Sequence, residues 1–224
     1  MSIRDELFKL RDLEYRDFVS KSVPNIDKDN IIGVRIPFIR KFALTLNEEE
    51  INIFLNDLPH KYLEENILHS VLISRVKSVN EFINLLDKFL LYVDNWCVSD
   101  TINCKVLIKD RNTSFKFFKR LLKTNHTYKI RFGILALFKC FLCDEYIDKA
   151  NELVINIHSD EYYINMARSW YFQNVIVKYY VKGKCILESK VLDKFTHNKT
   201  ISKCIDSYMV SNDKKLYLKG LRIK

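Results

Sequence analysis

The sequence predicts an all-α fold, an α–α superhelix (solenoid) of helical-hairpin repeats of the HEAT or TPR kind forming a right-handed curved array. Three observations carry that expectation. First, only 4 of 224 residues are glycine and 3 are proline, against roughly 12% for the two together in average usage. A β-sandwich or barrel needs a turn every few residues, and its turns draw on glycine at positive φ. Gly33, Gly133, Gly183 and Gly220 stand far apart, so no glycine cluster can cradle phosphates in the Rossmann or P-loop manner. Second, apolar residues recur at helical spacing. Third, the helices pair at a nearly constant interval.

Taken in order, the predicted helices lie near 2–21, 34–46, 48–56, 61–76, 79–93, 95–108, 114–124, 127–143, 146–157, 161–180, 185–195, 198–210 and 213–219. Phe82, Leu85, Leu86, Phe89, Leu90 and Val93 make the stripe of the fifth. Ile130, Ile134, Leu137, Phe138 and Phe141 make that of the eighth. Asp94 or Asn95 is the expected N-cap of the helix after 95, and Ser114 that of the next. Short polar breaks separate the elements, at Asn112, Thr124-Asn125, Ser159-Asp160 and Thr196 to Asn198. The second helix of each pair starts near 61, 95, 127, 161 and 198, at intervals of 32 to 37 residues. That period is the length of a helical-hairpin repeat. Stacked second helices are expected to line one concave surface.

The chain suits one domain over 1–224, and 48% hydrophobic residues suffice for a large core. No run of about 18 apolar residues appears, so no membrane span is expected. The N-terminus MSIRDELFKL carries charge from the start and has no signal-peptide core, which predicts a cytoplasmic protein. Cys97, Cys104, Cys140, Cys143, Cys185 and Cys204 are then reduced thiols. Cys140 and Cys143 form one C-x-x-C inside an apolar helical pattern, with no second pair to complete a zinc site, and core thiols are the expectation. No H-E-x-x-H occurs, and neither metal nor cofactor is expected.

The net charge of +9 is unevenly placed. Residues 101–140 carry +9 and residues 182–224 carry +7, while 41–100 carry −5 and 141–181 carry −3. Such runs are either solvated faces or a surface that meets phosphates. An acidic protein partner could use the same blocks.

The second helices carry the candidate site residues. Trp96, Ser99, Asp100 and Asn103 fall at i, i+3, i+4 and i+7, hence on one helical face. Val98, Ile102 and Val106 make the opposite, core-like face. Arg131 lies off the Ile130/Ile134/Leu137 stripe. Trp170 shares a face with Tyr163, Met166, Gln173 and Val177, so it reads either as core or as groove. Lys199 and Lys203 stand one turn apart.

In order and spacing, G-V-R-I-P-F-I-R-K (33–41), D-N-W-C-V-S-D (94–100), Y-K-I-R-F-G-I (128–134), Y-Y-I-N-M-A-R-S-W (162–170) and H-N-K-T-I-S-K (197–203) resemble the DNA alkylation repair family of AlkD type. These are HEAT-like-repeat DNA glycosylases, and the resemblance spans nearly the whole chain. It implies excision of cationic N3- and N7-alkylpurines without a base-flipping pocket. By that likeness Asp100 is the catalytic carboxylate, and Trp96 and Trp170 pack against the lesion's deoxyribose and backbone. Arg131 holds a phosphate, and Lys199, Lys203 and Asn103 add contacts. The implied partner is double-stranded DNA, bound by a monomer with salt-dependent affinity.

The stretch 18–32 stands where active members carry a helix that enters the minor groove. Pro24, Asn25, Asp27 and Asn30 predict a loop there, which resembles a shorter AlkD paralogue branch lacking that helix. Cys97 and Gln173 also depart from the residues common in active members, Asp and Arg respectively. Three readings therefore follow: a 3-methyladenine/7-alkylguanine DNA glycosylase, a non-catalytic DNA-binding paralogue, or a protein-interaction scaffold.

Overall fold

The computed structural model describes residues 2–224. The described residues are all-helical, without a strand, and consistent with an α–α superhelical fold. They divide into two compact units, Met1–Asp110 and Arg111–Lys224. No helix among the described residues is long and apolar enough to cross a membrane.

The first unit contains α1 (Ile3–Lys9), α2 (Leu13–Ser22), α3 (Ile36–Phe42), α4 (Glu48–Asn56), α5 (Leu63–Ile73), α6 (Val79–Phe89) and α7 (Trp96–Thr101), with short 3-10 turns at Lys28–Asn30 and Lys105–Asp110. α5 is its centre and packs against α1, α3, α4, α6 and α7. Nine of its 11 residues are buried, as a helix surrounded by neighbours requires. Its polar side chains tie those neighbours together. The buried Glu64 carboxylate accepts the N–H groups of Ile32, Gly33 and Val34. Desolvation raises its pKa, and the three donors act against that. Gly33 sits at φ +95°, and a Cβ there would lie 2.4 Å from the Asp12 carbonyl oxygen. The opening G-V-R-I-P segment is thus fixed by backbone contacts only glycine allows.

The second unit contains α8 (Arg111–Leu121), α9 (Thr127–Cys140), α10 (Ile147–Ile155), α11 (Tyr162–Lys178), α12 (Tyr180–Glu188), α13 (Lys194–Asp206) and α14 (Asn212–Gly220). α11 is the centre, packed on α9, α12 and α13. Gly183 lets α12 approach it closely, since a Cβ at 183 would meet Ile176 at 2.5 Å. Across both units the helices α5, α7, α9, α11 and α13 start 31 to 35 residues apart, which is the predicted repeat period.

Several boundaries differ from the sequence expectation. The first predicted helix is two, because Asp12 caps α2 through Tyr15 N–H and donates its own N–H to Gly33. The helix expected over 95–108 ends at Thr101. Asn103 then turns the chain, its Oδ1 accepting Lys105 N–H and its own N–H donating to Ser74 Oγ. Ser114 is not an N-cap but a buried residue inside α8. The helices expected at 185–195 and 198–210 lie at 180–188 and 194–206. Lys190 at φ 53° stands between them, and Asp193 caps α13 through Thr196 N–H. The segment 18–32 is helical to Ser22 and then a turn, with three residues of 3-10 helix.

Candidate functional site

Within the first unit, α7 begins at Trp96 under an Asn95 cap whose Oδ1 accepts Val98 N–H at 3.1 Å. Val98 and Ile102 are fully buried, as the helical pattern predicts. Ser70 of α5 donates to the Val98 carbonyl and fixes α7 on the central helix. Trp96 is half-buried, and its Nε1–H donates to the Ser22 carbonyl at 3.0 Å. Asn25 Nδ2 donates to the Asp94 carbonyl at 2.6 Å. The turn after α2 is therefore tied to the start of α7. Asp100 is half-buried one turn after Trp96, and its Oδ1 accepts the Ser99 hydroxyl at 2.9 Å. The four-residue face expected on this helix holds only in part. Ser99 is fully buried, and Asn103 lies beyond the helix end with its side chain engaged in a turn.

The second unit gathers the cationic candidates. Trp170 is 38% exposed on α11, so it is not a core tryptophan. Its ring lies 5.3 Å from that of Phe138, and Lys203 Nζ of α13 stands 5.8 Å over it. Burial pushes the Lys203 ammonium down from its ordinary range, and the neighbouring charges of Lys199 and Arg131 add to that, against Asp206. Three cations thus share one neighbourhood around an indole. Arg131 is only 6% exposed, with one Nη1–H donating to the Tyr163 carbonyl at 2.9 Å. It acts on this surface mainly through its field. The unit has 22 basic and 10 acidic residues, net +12, whereas the first unit has 15 and 18, net −3. The whole positive excess of the chain lies in the second unit.

Three residues in the quoted motifs have structural duties that the sequence does not advertise. Arg168 is 2% exposed and contacts Asp193 at 2.5 Å, Asn165 at 2.9 Å and the Thr196 hydroxyl at 3.2 Å. It joins α11 to the start of α13. Its position between Ile164, Ala167 and Tyr171, all buried, is the signal that it faces the core. His197 is fully buried, its Nε2 2.9 Å from the Leu221 carbonyl, while Asn198 exchanges two hydrogen bonds with Ile223. The H-N pair of that motif anchors the segment after α14, and Lys199 and Lys203 are left to the surface.

All six cysteines are free thiols. Cys104, Cys140 and Cys204 are buried, Cys97 and Cys143 half-buried, and Cys185 is exposed, so the core-thiol expectation holds for three of them. No cluster of three or more metal-ligating side chains occurs among the described residues.

The family model described as DNA alkylation repair enzyme matches residues 3–176. The chain belongs to that family. The matched stretch contains Trp96, Asp100, Arg131 and Trp170 and ends before Lys199 and Lys203. Membership in the DNA alkylation repair enzyme family assigns the chain a role in DNA repair. No curated protein and no solved structure matches it significantly.

Proposed function

We propose that this chain is a DNA glycosylase of AlkD type that removes cationic N3- and N7-alkylpurines from double-stranded DNA. The observation that carries the reading is the family match across a stretch holding a half-buried carboxylate, Asp100, one helical turn from a half-buried indole, Trp96. An N-alkylated purine already bears positive charge. When its C1′–N bond breaks, the bonding pair neutralises the departing base, so no general acid is needed. The sugar is left oxocarbenium-like. In this reading the Asp100 carboxylate stabilises that cation and takes the proton of the water whose oxygen adds to C1′. Trp96 offers an electron-rich face to the same charge, worth about 0.5–2 kcal/mol.

The second unit serves to hold the duplex backbone. Lys199 and Lys203 contact phosphates, Trp170 packs on the backbone, and Arg131 reinforces the field. Asn103 adds a contact from the first unit. Both units act on one duplex, as a single functional domain and a monomer in the cytoplasm. Release of 3-methyladenine and 7-methylguanine from alkylated duplex tests the reading, with Asp100→Asn as control.

One observation favours a second reading, a DNA-binding relative without excision. After Ser22 the chain makes a turn and only three residues of 3-10 helix, where active AlkD-type members carry a minor-groove helix. This reading predicts salt-dependent duplex binding with no base release.

A further inference from the structure

We infer that the second unit carries a stacking platform for single-stranded DNA, formed by exposed aromatic rings of α11 and α13 bordered by lysines. The inference rests on the reading of this chain as a DNA-binding repair protein, but it concerns a different form of DNA and needs no excision. Tyr162 is 55% exposed, Phe195 42% and Trp170 38%. Tyr162 and Phe195 bring α11 and α13 together at 6.0 Å between ring centroids. Tyr162 and Trp170 are eight residues apart, about 12 Å along the helix axis at a 1.5 Å rise.

The cations follow the same face. Phe195, Lys199 and Lys203 succeed one another at i, i+4 and i+8 on α13, a single stripe. A groove of about 520 Å³ is lined by Lys194, Phe195, Asn198, Lys199 and Ser202. None of Lys194, Lys199 and Lys203 forms an ion pair among the described residues, so their charge is available to an outside anion. Burial pushes the Lys203 ammonium down, and Lys199 and Arg131 outweigh the one opposing carboxylate, Asp206, so the neighbourhood is net positive. An apolar partner would leave these lysines uncompensated. Duplex DNA would use the lysines and the edge of Trp170 but leave Tyr162 and Phe195 idle, because paired bases hide their faces in the stack. Unpaired nucleotides use both, since every base has a face to stack and every linkage a phosphate to pair.

The experiment is fluorescence anisotropy with a labelled oligo-dT of about 20 nucleotides, a duplex of equal length and an oligo-rU, on full-length protein. In a Trp96→Phe background Trp170 is the one tryptophan, and its emission reports stacking. The inference predicts that oligo-dT binds and quenches Trp170. It predicts that Tyr162→Ala with Phe195→Ala weakens oligo-dT by at least about fivefold and changes duplex affinity by less than about twofold. Both positions are exposed, so the variant folds, and its circular dichroism is compared with wild type. Duplex binding without oligo-dT binding overturns the inference and leaves the duplex reading standing. Equal weakening of strand and duplex also overturns it, as does tighter binding of oligo-rU than oligo-dT. Loss of every form of binding overturns both.

Discussion

The indole Nε1–H of Trp96 donates to the carbonyl oxygen of Ser22 at 3.0 Å, across 74 residues of chain. Ser22 is the last residue of α2, where carbonyls have no partner within the helix. Trp96 therefore closes the end of α2 and is itself oriented by it. Trp96→Phe keeps an aromatic ring, though a smaller one, and removes the donor. It should lower the free energy of unfolding by about 1 kcal/mol, measured by urea titration.

Acid should weaken the first unit through His69. Its imidazole is buried, stacked on Phe89 at 3.9 Å and bonded to His60 at 2.9 Å. Burial first, and His60 second, push its pKa from 6.5 to about 3. His60 is pushed down too, by burial, with Glu65 and Asp57 opposing and Arg4 assisting. A folded-state pKa below the unfolded value gives stability that is complete above about pH 6.5 and is lost as pH falls toward 3. Between about pH 7.5 and 5 the protein should lose on the order of 2 kcal/mol. His69→Phe should flatten that slope, and an unchanged slope would show that another group governs it.

Asp193 both caps α13 and pairs with buried Arg168. Asp193→Ala removes both functions, at about 2–4 kcal/mol. The low end reflects an aspartate side chain 42% exposed and partly screened by water. Asp193→Asn retains a capping oxygen and should cost less than alanine. Equal losses for the two would mean that the cap contributes nothing.

How far these features are readable in the sequence depends on what holds them. The helical class, the repeat period and a cap at Asp94 or Asn95 follow from local periodicity and capping chemistry; the structure carries the first two and places the cap on Asn95. The register of α13 does not follow from them. It is set by Arg168 reaching Asp193 and Thr196 from another helix, and no local pattern records that reach. Thr196 to Asn198 look like a polar break, yet Thr196 and His197 are fully buried because tertiary partners satisfy them. Trp170 was readable either way, since Met166 and Val177 on its face are apolar. Its exposure is decided by α13, which places Lys203 and not an apolar side chain beside it.

Duplex affinity should fall steeply with salt if the cations of the second unit meet phosphates. Lys199→Gln and Lys203→Gln should each reduce the slope of log affinity against log salt by about 1. Variants with the wild-type slope would remove these lysines from the interface.

The most direct measurement is the release of free base from methylated duplex DNA. Wild-type protein should liberate 3-methyladenine and 7-methylguanine above the spontaneous rate. Asp100→Asn, which keeps the shape and loses the charge, should reduce release by about 100-fold or more while duplex affinity stays within about twofold. No release by wild type, or equal release by both proteins, would contradict the assignment of excision to the Asp100 carboxylate.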